Sequence, residues 1–203
     1  MLVLSLLVHG AAALPAASEP WAAAGASPWA AASEYPAAAA VRSPQQPAAF
    51  SAAFVGNSYT FYSDLPAMIA SVAASTAAAE LAPVASNLPG GSALWEHADE
   101  ARYGVETGAM LLEAAPPGGW DFVVLQDQSQ SAGGGAVSSG TPLPAGECKA
   151  RALASLAAWF RPRLNGATPV FYSSWGRRDG DPFNAEIFPD FLSMNRLTTA
   201  GMF

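Results

Sequence analysis

The chain is 203 residues long, 51% apolar and 12% charged, and its 9 Lys+Arg against 16 Asp+Glu leave a net charge of −7. That length suits one domain with a proper core, and the acidic balance denies it the basic footprint that phosphate backbones and anionic lipid heads require, so no nucleic-acid or membrane-surface partner is expected. Cys148 is the only cysteine and His9 and His97 the only histidines, which excludes an intrachain disulfide framework, a thiolate-rich zinc site and a multi-histidine metal centre.

Residues 2–8 form a short apolar run followed by small residues up to Ala17. The pattern reads as a secretory signal peptide over residues 1–17, although no Lys or Arg opens it, and it implies a secreted protein. It is too short for a stable membrane span, which needs about 20 apolar residues. Residues 18–49 are Ala, Pro and Ser with prolines at 20, 28, 36, 44 and 47. Such composition sustains neither helical nor strand periodicity and predicts a disordered linker.

Order is expected over residues 50–203. The apolar run at 50–55 closes on Gly56-Asn57-Ser58, as a buried strand closes on a turn. Ser63 or Asp64 can cap a helix with Pro66 in its first turn that runs towards Glu80. A weaker strand follows at 83–88, then helical patterns at 94–102 and 105–114. The clearest strand, 121–125, runs into the polar string Gln126-Asp127-Gln128-Ser129-Gln130-Ser131. A helix at 145–164, carrying Cys148 as a small packing residue, precedes a fourth strand at 168–173 and a last helix at 188–197.

Strands this apolar, alternating with helices, predict a parallel sheet covered on both sides, with the chemistry at the carboxyl ends of the strands. The groups there are Gly56-Asn57-Ser58, Gly90-Gly91-Ser92, the string from Gln126 to Ser129, and Ser173-Ser174-Trp175-Gly176. Neutral hydrogen-bond donors and a hydroxyl suit a developing oxyanion better than a metal or a phosphate.

Four blocks together carry a resemblance: Phe54-Val55-Gly56-Asn57-Ser58-Tyr59-Thr60-Phe61-Tyr62 with Asp64-Leu65-Pro66; Gly90-Gly91-Ser92 with His97; Trp120-Asp121-Phe122-Val123-Val124-Leu125-Gln126-Asp127-Gln128-Ser129; and Trp175-Gly176-Arg177-Arg178-Asp179-Gly180-Asp181. In this order, over residues 50–203, the chain resembles a subgroup of the SGNH-hydrolase superfamily, the GDSL-type esterases and lipases. The resemblance implies a three-layer αβα flavodoxin-like parallel sheet and a serine esterase working through an acyl-enzyme, without metal or organic cofactor. The substrate would be a small-molecule or glycan ester, such as an O-acylated carbohydrate. Ser58 would be the nucleophile, and its N–H together with that of Gly91, or Gly90, would point at the oxyanion. Asn57, Gly90, His97, Gln126 and Trp175 would line the substrate site.

Two departures from the family pattern bear on activity. No Asn follows the third strand, so Gln128, with Gln126 as second choice, would supply the side-chain oxyanion donor. The Asp and His that the family places near its carboxyl terminus are absent, so the sequence reads as incomplete there, missing its last strand and helix. Low turnover, marginal stability or aggregation is then expected, because serine is a weak nucleophile without a base and an uncovered sheet exposes apolar surface. His97 is better read as a hydrogen-bonding or packing group at the cleft edge than as a substitute base. Asp179 and Asp181 read as a solvated turn, and Asp127 as a partner of Arg177 or Arg178 or as a water-facing group. Trp95, Trp120 and Trp175 read as cleft-lining or core residues. The alternative function is a non-catalytic secreted domain binding a glycan or peptide in the same cleft; a flavin-binding protein of similar architecture is less well supported by the first loop.

Overall fold

The computed structural model describes residues 48–76, 79–136, 143–144 and 146–201. The expected signal peptide and nearly all of the expected linker lie outside these residues. Ala48 and Ala49 belong to the first strand, β1 (Ala48–Val55), whose last five residues are buried.

Apolar strand residues on both pleat faces explain the architecture. Ala53 and Val55 of β1 pair in parallel with Val123 and Leu125 of β3 (Phe122–Leu125). These four side chains share a core cluster with Leu111 and Phe160. Ala52, Phe54 and Val124 point the other way and pack with Ile69. Both faces therefore need a helical cover, and the described residues form an α/β fold with a four-stranded, all-parallel sheet flanked by helices, in the order β2 (Ala79–Asn87), β1, β3, β4 (Thr168–Phe171). This architecture is compatible with a flavodoxin-like fold. Among the described residues no helix is long and apolar enough to cross a membrane.

After β1 the chain makes one short helical turn, α1 (Ser58–Phe61), and then α2 (Leu65–Ser75). Asp64 caps α2, its carboxylate accepting from Ala67 N–H at 3.4 Å, and Pro66 occupies the first turn. The helix stops short of the expected end at Glu80. The hydroxyls of Ser75 and Thr76 donate back to the Val72 and Ala73 carbonyls, and Glu80 instead pairs with Ala49 in β2 (Ala79–Asn87).

The segment expected to be helical at 94–102 holds a single 3-10 turn, Glu96–Ala98. Its backbone is diverted because the Glu96 carboxylate accepts Ala93 N–H and the Glu96 carbonyl takes Tyr103 N–H. The helix α3 (Gly104–Leu112) follows. Beyond β3 come the short α4 (Ser129–Ala132) and then α5 (Glu147–Ser155), which passes through a π-helical turn, Leu156–Phe160, into α6 (Arg161–Arg163). Pro162 explains the wide turn: its ring collides with the carbonyl four residues back in a regular helix, and here Arg161 N–H reaches the Leu156 carbonyl, five residues back. Cys148 is buried in α5.

The last strand, β4 (Thr168–Phe171), is followed by α7 (Phe191–Gly201), which packs on α4; Thr198 donates to the Ser129 carbonyl at 3.2 Å. A proline interrupts each outer strand. In β2 the register shifts so that Ala82 and Pro83 stand opposite Ser51 alone. In β4, Thr168 and Tyr172 donate inward to Asp121 and Leu125, which turns the nitrogen of Pro169 outward. Ser51 itself anchors β1 to the start of β3, its N–H and Oγ both donating to Asp121 Oδ2 at 2.8 and 2.9 Å.

Candidate functional site

The chain leaves β1 for β2 on one side and leaves β3 for β4 on the other, so the connections diverge between β1 and β3 and open a crevice at their carboxyl ends. The turn Gly56-Asn57-Ser58 sits there. Asn57 is buried and caps α1, its Oδ1 accepting Tyr59 N–H at 3.1 Å. Its Nδ2 donates to the Ser92 carbonyl at 2.7 Å, and the Ser92 hydroxyl lies 2.9 Å from both the Gly56 and the Pro89 carbonyls. These bonds tie the loop holding Gly90 and Gly91 to the β1 turn. Gly91 takes φ +73°, a conformation that favours glycine, and Gly90 is exposed with open space beside it.

Ser58 differs from its neighbours. It is half-buried, and neither its N–H nor its hydroxyl bonds a partner among the described residues. Tyr59 reaches across to the loop after β4: its hydroxyl lies 3.1 Å from the Trp175 carbonyl and 3.4 Å from Ser129 Oγ of α4, and its ring meets the Trp175 ring edge-on at 4.6 Å. Trp175 is 41% exposed, whereas Trp95 and Trp120 are buried. Of the three tryptophans weighed for the cleft, only Trp175 presents a surface there.

Gln126 lies fully buried beneath the turn. Its Oε1 accepts Asn57 N–H at 2.9 Å and the Thr60 hydroxyl at 3.0 Å, and its Nε2 donates to the Asp127 carbonyl. Gln128 engages both ends of its amide at the start of α4, its Oε1 accepting Gln130 N–H and its Nε2 donating to Gln130 Oε1 at 2.7 Å. Neither glutamine amide is left free to face Ser58. Asp127 pairs with neither Arg177 nor Arg178 and does not face solvent: it is buried, accepting Leu94 and Gln128 N–H at 2.9 Å each and the Ser131 hydroxyl at 2.8 Å. Burial pushes its carboxyl pKa up, against those three bonds.

His97 is also fully buried. Nε2 lies 3.0 Å from both the Gly56 carbonyl and Ser92 Oγ, and Nδ1 lies 3.1 Å from Thr107 Oγ1. Burial lowers its pKa to about 4, although the Gly56 carbonyl opposes the shift. The imidazole is therefore neutral at pH 7. Asp181 departs from the solvated turn expected of it: it is buried, it receives Gln130 Nε2 and Asn184 Nδ2, and it pairs with Arg177 at 3.1 Å. Burial alone would raise its pKa, but these donors and the guanidinium hold it below the usual value. Asp179 is exposed and pairs with Arg178 at 2.7 Å.

Sequence reasoning passed over Asn87, Thr107 and Thr60. Asn87 donates to Thr107 Oγ1 at 2.9 Å, behind His97. Asn87 carried a readable signal, a polar residue at the carboxyl end of a strand beside the Gly90-Gly91 loop; Thr107 carried none. Among the described residues no group of three or more His, Cys, Asp and Glu is placed to hold a metal.

Gly56 allows this packing. A Cβ there would stand 2.8 Å from Gln126 Oε1 and 2.9 Å from Thr60 Oγ1. Gly56→Ala should lower stability by about 1–3 kcal/mol through overpacking, measured by urea unfolding; an unchanged midpoint would contradict the packing described.

No family model, no curated protein and no solved structure matches the chain.

Proposed function

We propose that this chain is a secreted serine esterase of the SGNH-hydrolase type, built on a flavodoxin-like three-layer fold, with Ser58 as nucleophile. One observation carries the reading: a serine with an unengaged hydroxyl and N–H stands half-exposed at the carboxyl end of a central strand, while the residues around it are tightly bonded. Ser58 Oγ forms a bond to the acyl carbon, the alcohol leaves, and water then releases the acid. Ser58 N–H, with an N–H of the Gly90-Gly91 loop, serves the oxyanion. Asn57 and Gln126 support the turn from below, and Trp175 offers an aromatic face to a sugar or acyl group. Among the described residues His97 is the only imidazole and it is sealed in, so the serine proton goes to solvent and turnover is slow.

That same sealed histidine favours the second reading, a non-catalytic glycan- or peptide-binding domain. Treating the full chain with a fluorophosphonate probe and mapping the adduct separates the two. A phosphonylated Ser58 peptide, with slow release of p-nitrophenol from p-nitrophenyl acetate, is expected. Absence of any adduct, together with saturable binding of an acetylated xylo-oligosaccharide, would establish the binding domain. Trp175→Ala should weaken binding of that oligosaccharide by about fivefold or more, read by calorimetry on the unlabelled chain; unchanged affinity would remove Trp175 from the site.

A further inference from the structure

We infer that His97 is a positioning residue for the Ser58 turn, acting as a neutral ring with its hydrogen on Nε2 that grips the Gly56 carbonyl. The consequence for Ser58 rests on the esterase reading; the tautomer and the grip do not.

The proton positions follow by elimination. The Asn87 side-chain nitrogen can only donate, so Thr107 Oγ1 accepts at 2.9 Å. The single hydroxyl hydrogen of Thr107 is then directed at His97 Nδ1, 3.1 Å away. On the far side of the ring, Nε2 faces the Gly56 carbonyl at 3.0 Å, a group that can only accept. A bare Nε2 would set two lone pairs against each other in a buried space, so Nε2 carries the hydrogen and Nδ1 accepts. Ser92 Oγ, 3.0 Å from Nε2, shares that hydrogen and directs its own to a carbonyl. Gly56 N–H returns to the Asn87 carbonyl at 3.2 Å, closing a ring of bonds from Asn87 through Thr107, His97 and Gly56 back to Asn87.

The carbonyl of Gly56 and the N–H of Asn57 belong to one planar peptide unit. His97 and Ser92 hold its oxygen, and Gln126 holds its hydrogen at 2.9 Å. A peptide plane held at both of its edges resists rotation, and the next residue in the chain is Ser58. His97 thus acts on the nucleophile through the backbone, without touching it.

Long-range proton–nitrogen NMR on the labelled full chain should show Nε2 protonated and Nδ1 bare at neutral pH; a hydrogen on Nδ1, or a charged ring, would overturn the assignment. His97→Gln keeps a donor that can reach the Gly56 carbonyl, whereas His97→Phe does not. The glutamine variant should retain most of the fluorophosphonate labelling rate and the slow exchange of the Asn57 amide. The phenylalanine variant should label about tenfold more slowly and exchange Asn57 faster, with helix content unchanged by circular dichroism. Equal labelling and equal exchange in the two variants would refute the grip. If the phenylalanine variant unfolds, Thr107→Val serves in its place: it removes the bond that holds the ring at Nδ1, so Asn57 should exchange faster while Nε2, still facing the Gly56 carbonyl, keeps its hydrogen; unchanged exchange, or a hydrogen moved to Nδ1, would refute the grip. If no variant labels at Ser58 at all, the esterase reading fails, while the tautomer and the exchange rates still decide the grip.

Discussion

Replacing Ser58 with alanine should reduce fluorophosphonate labelling and ester hydrolysis by about a hundredfold or more, to the buffer background, while leaving the melting temperature within about 2 °C of the parent. The separation of effects follows from the geometry. The Ser58 hydroxyl bonds nothing among the described residues, and the cap of α1 is the Asn57 side chain, so alanine at the first helical position deletes no structural contact. Ser92→Ala is the contrasting case. That buried hydroxyl contacts two carbonyls and the His97 ring, and its loss should cost about 1–3 kcal/mol with melting lowered accordingly. If Ser58→Ala kept its labelling, or if it melted as early as Ser92→Ala, Ser58 would not be the exposed nucleophile.

The second large effect concerns acid. His97 titrates near 4 when folded and near 6.5 when unfolded, because burial disfavours its charge. Between those values the unfolded chain binds the extra proton, so stability is undiminished above pH 6.5 and falls as the pH drops towards 4. The loss amounts to about 3 kcal/mol. Around the ring lie the hydroxyls of Ser92 and Thr107 and the Tyr103 ring, 5.7 Å away, while the neighbouring Glu96 carboxylate accepts Ala93 N–H. Asp127 acts in the opposite direction. Its pKa is raised when folded, so its contribution is fullest below the unfolded value and is lost as the pH rises through the folded one.

Asp127→Asn separates the two groups. An amide oxygen can accept from Leu94 and Gln128 as the carboxylate does, and its nitrogen can donate to Ser131 Oγ. In that background, urea unfolding between pH 4 and 8 should show the full decline on the acid side, and adding His97→Gln should flatten it. A slope unaltered by His97→Gln would show that the acid sensitivity lies elsewhere.

How legible the molecule was depends on where its determinants lie. The strands announced themselves because Phe54, Val55, Val123 and Leu125 are apolar on both pleat faces, which only a doubly covered parallel sheet can bury. Capping was readable at Asp64, where the carboxylate and Pro66 act within a few residues. The ends of elements were not. Glu80 looked like the last turn of a helix, yet pairing with Ala49, distant in sequence, drew it into a strand, and no local window contains that information. At the site, the turn at Ser58 and the neutral groups near it were visible as a pattern. The orientation of each amide was not: Gln128 turns inward to its own helix and Gln126 supports the turn, a choice set by three-dimensional neighbours. Asp181 looked solvated beside glycine and arginines, but Gln130 and Asn184 enclose it.

The two prolines in the outer strands bear on how one copy of the molecule meets another. An incoming strand must find outward N–H groups in register along the border it joins. At one border Pro169 removes such a donor, and at the other the two-against-one irregularity at Ala82 and Pro83 throws the strand out of step. Each flank of the sheet formed by the described residues therefore offers an interrupted template, so the aggregation expected from its exposed apolar surface should not proceed by successive strand addition.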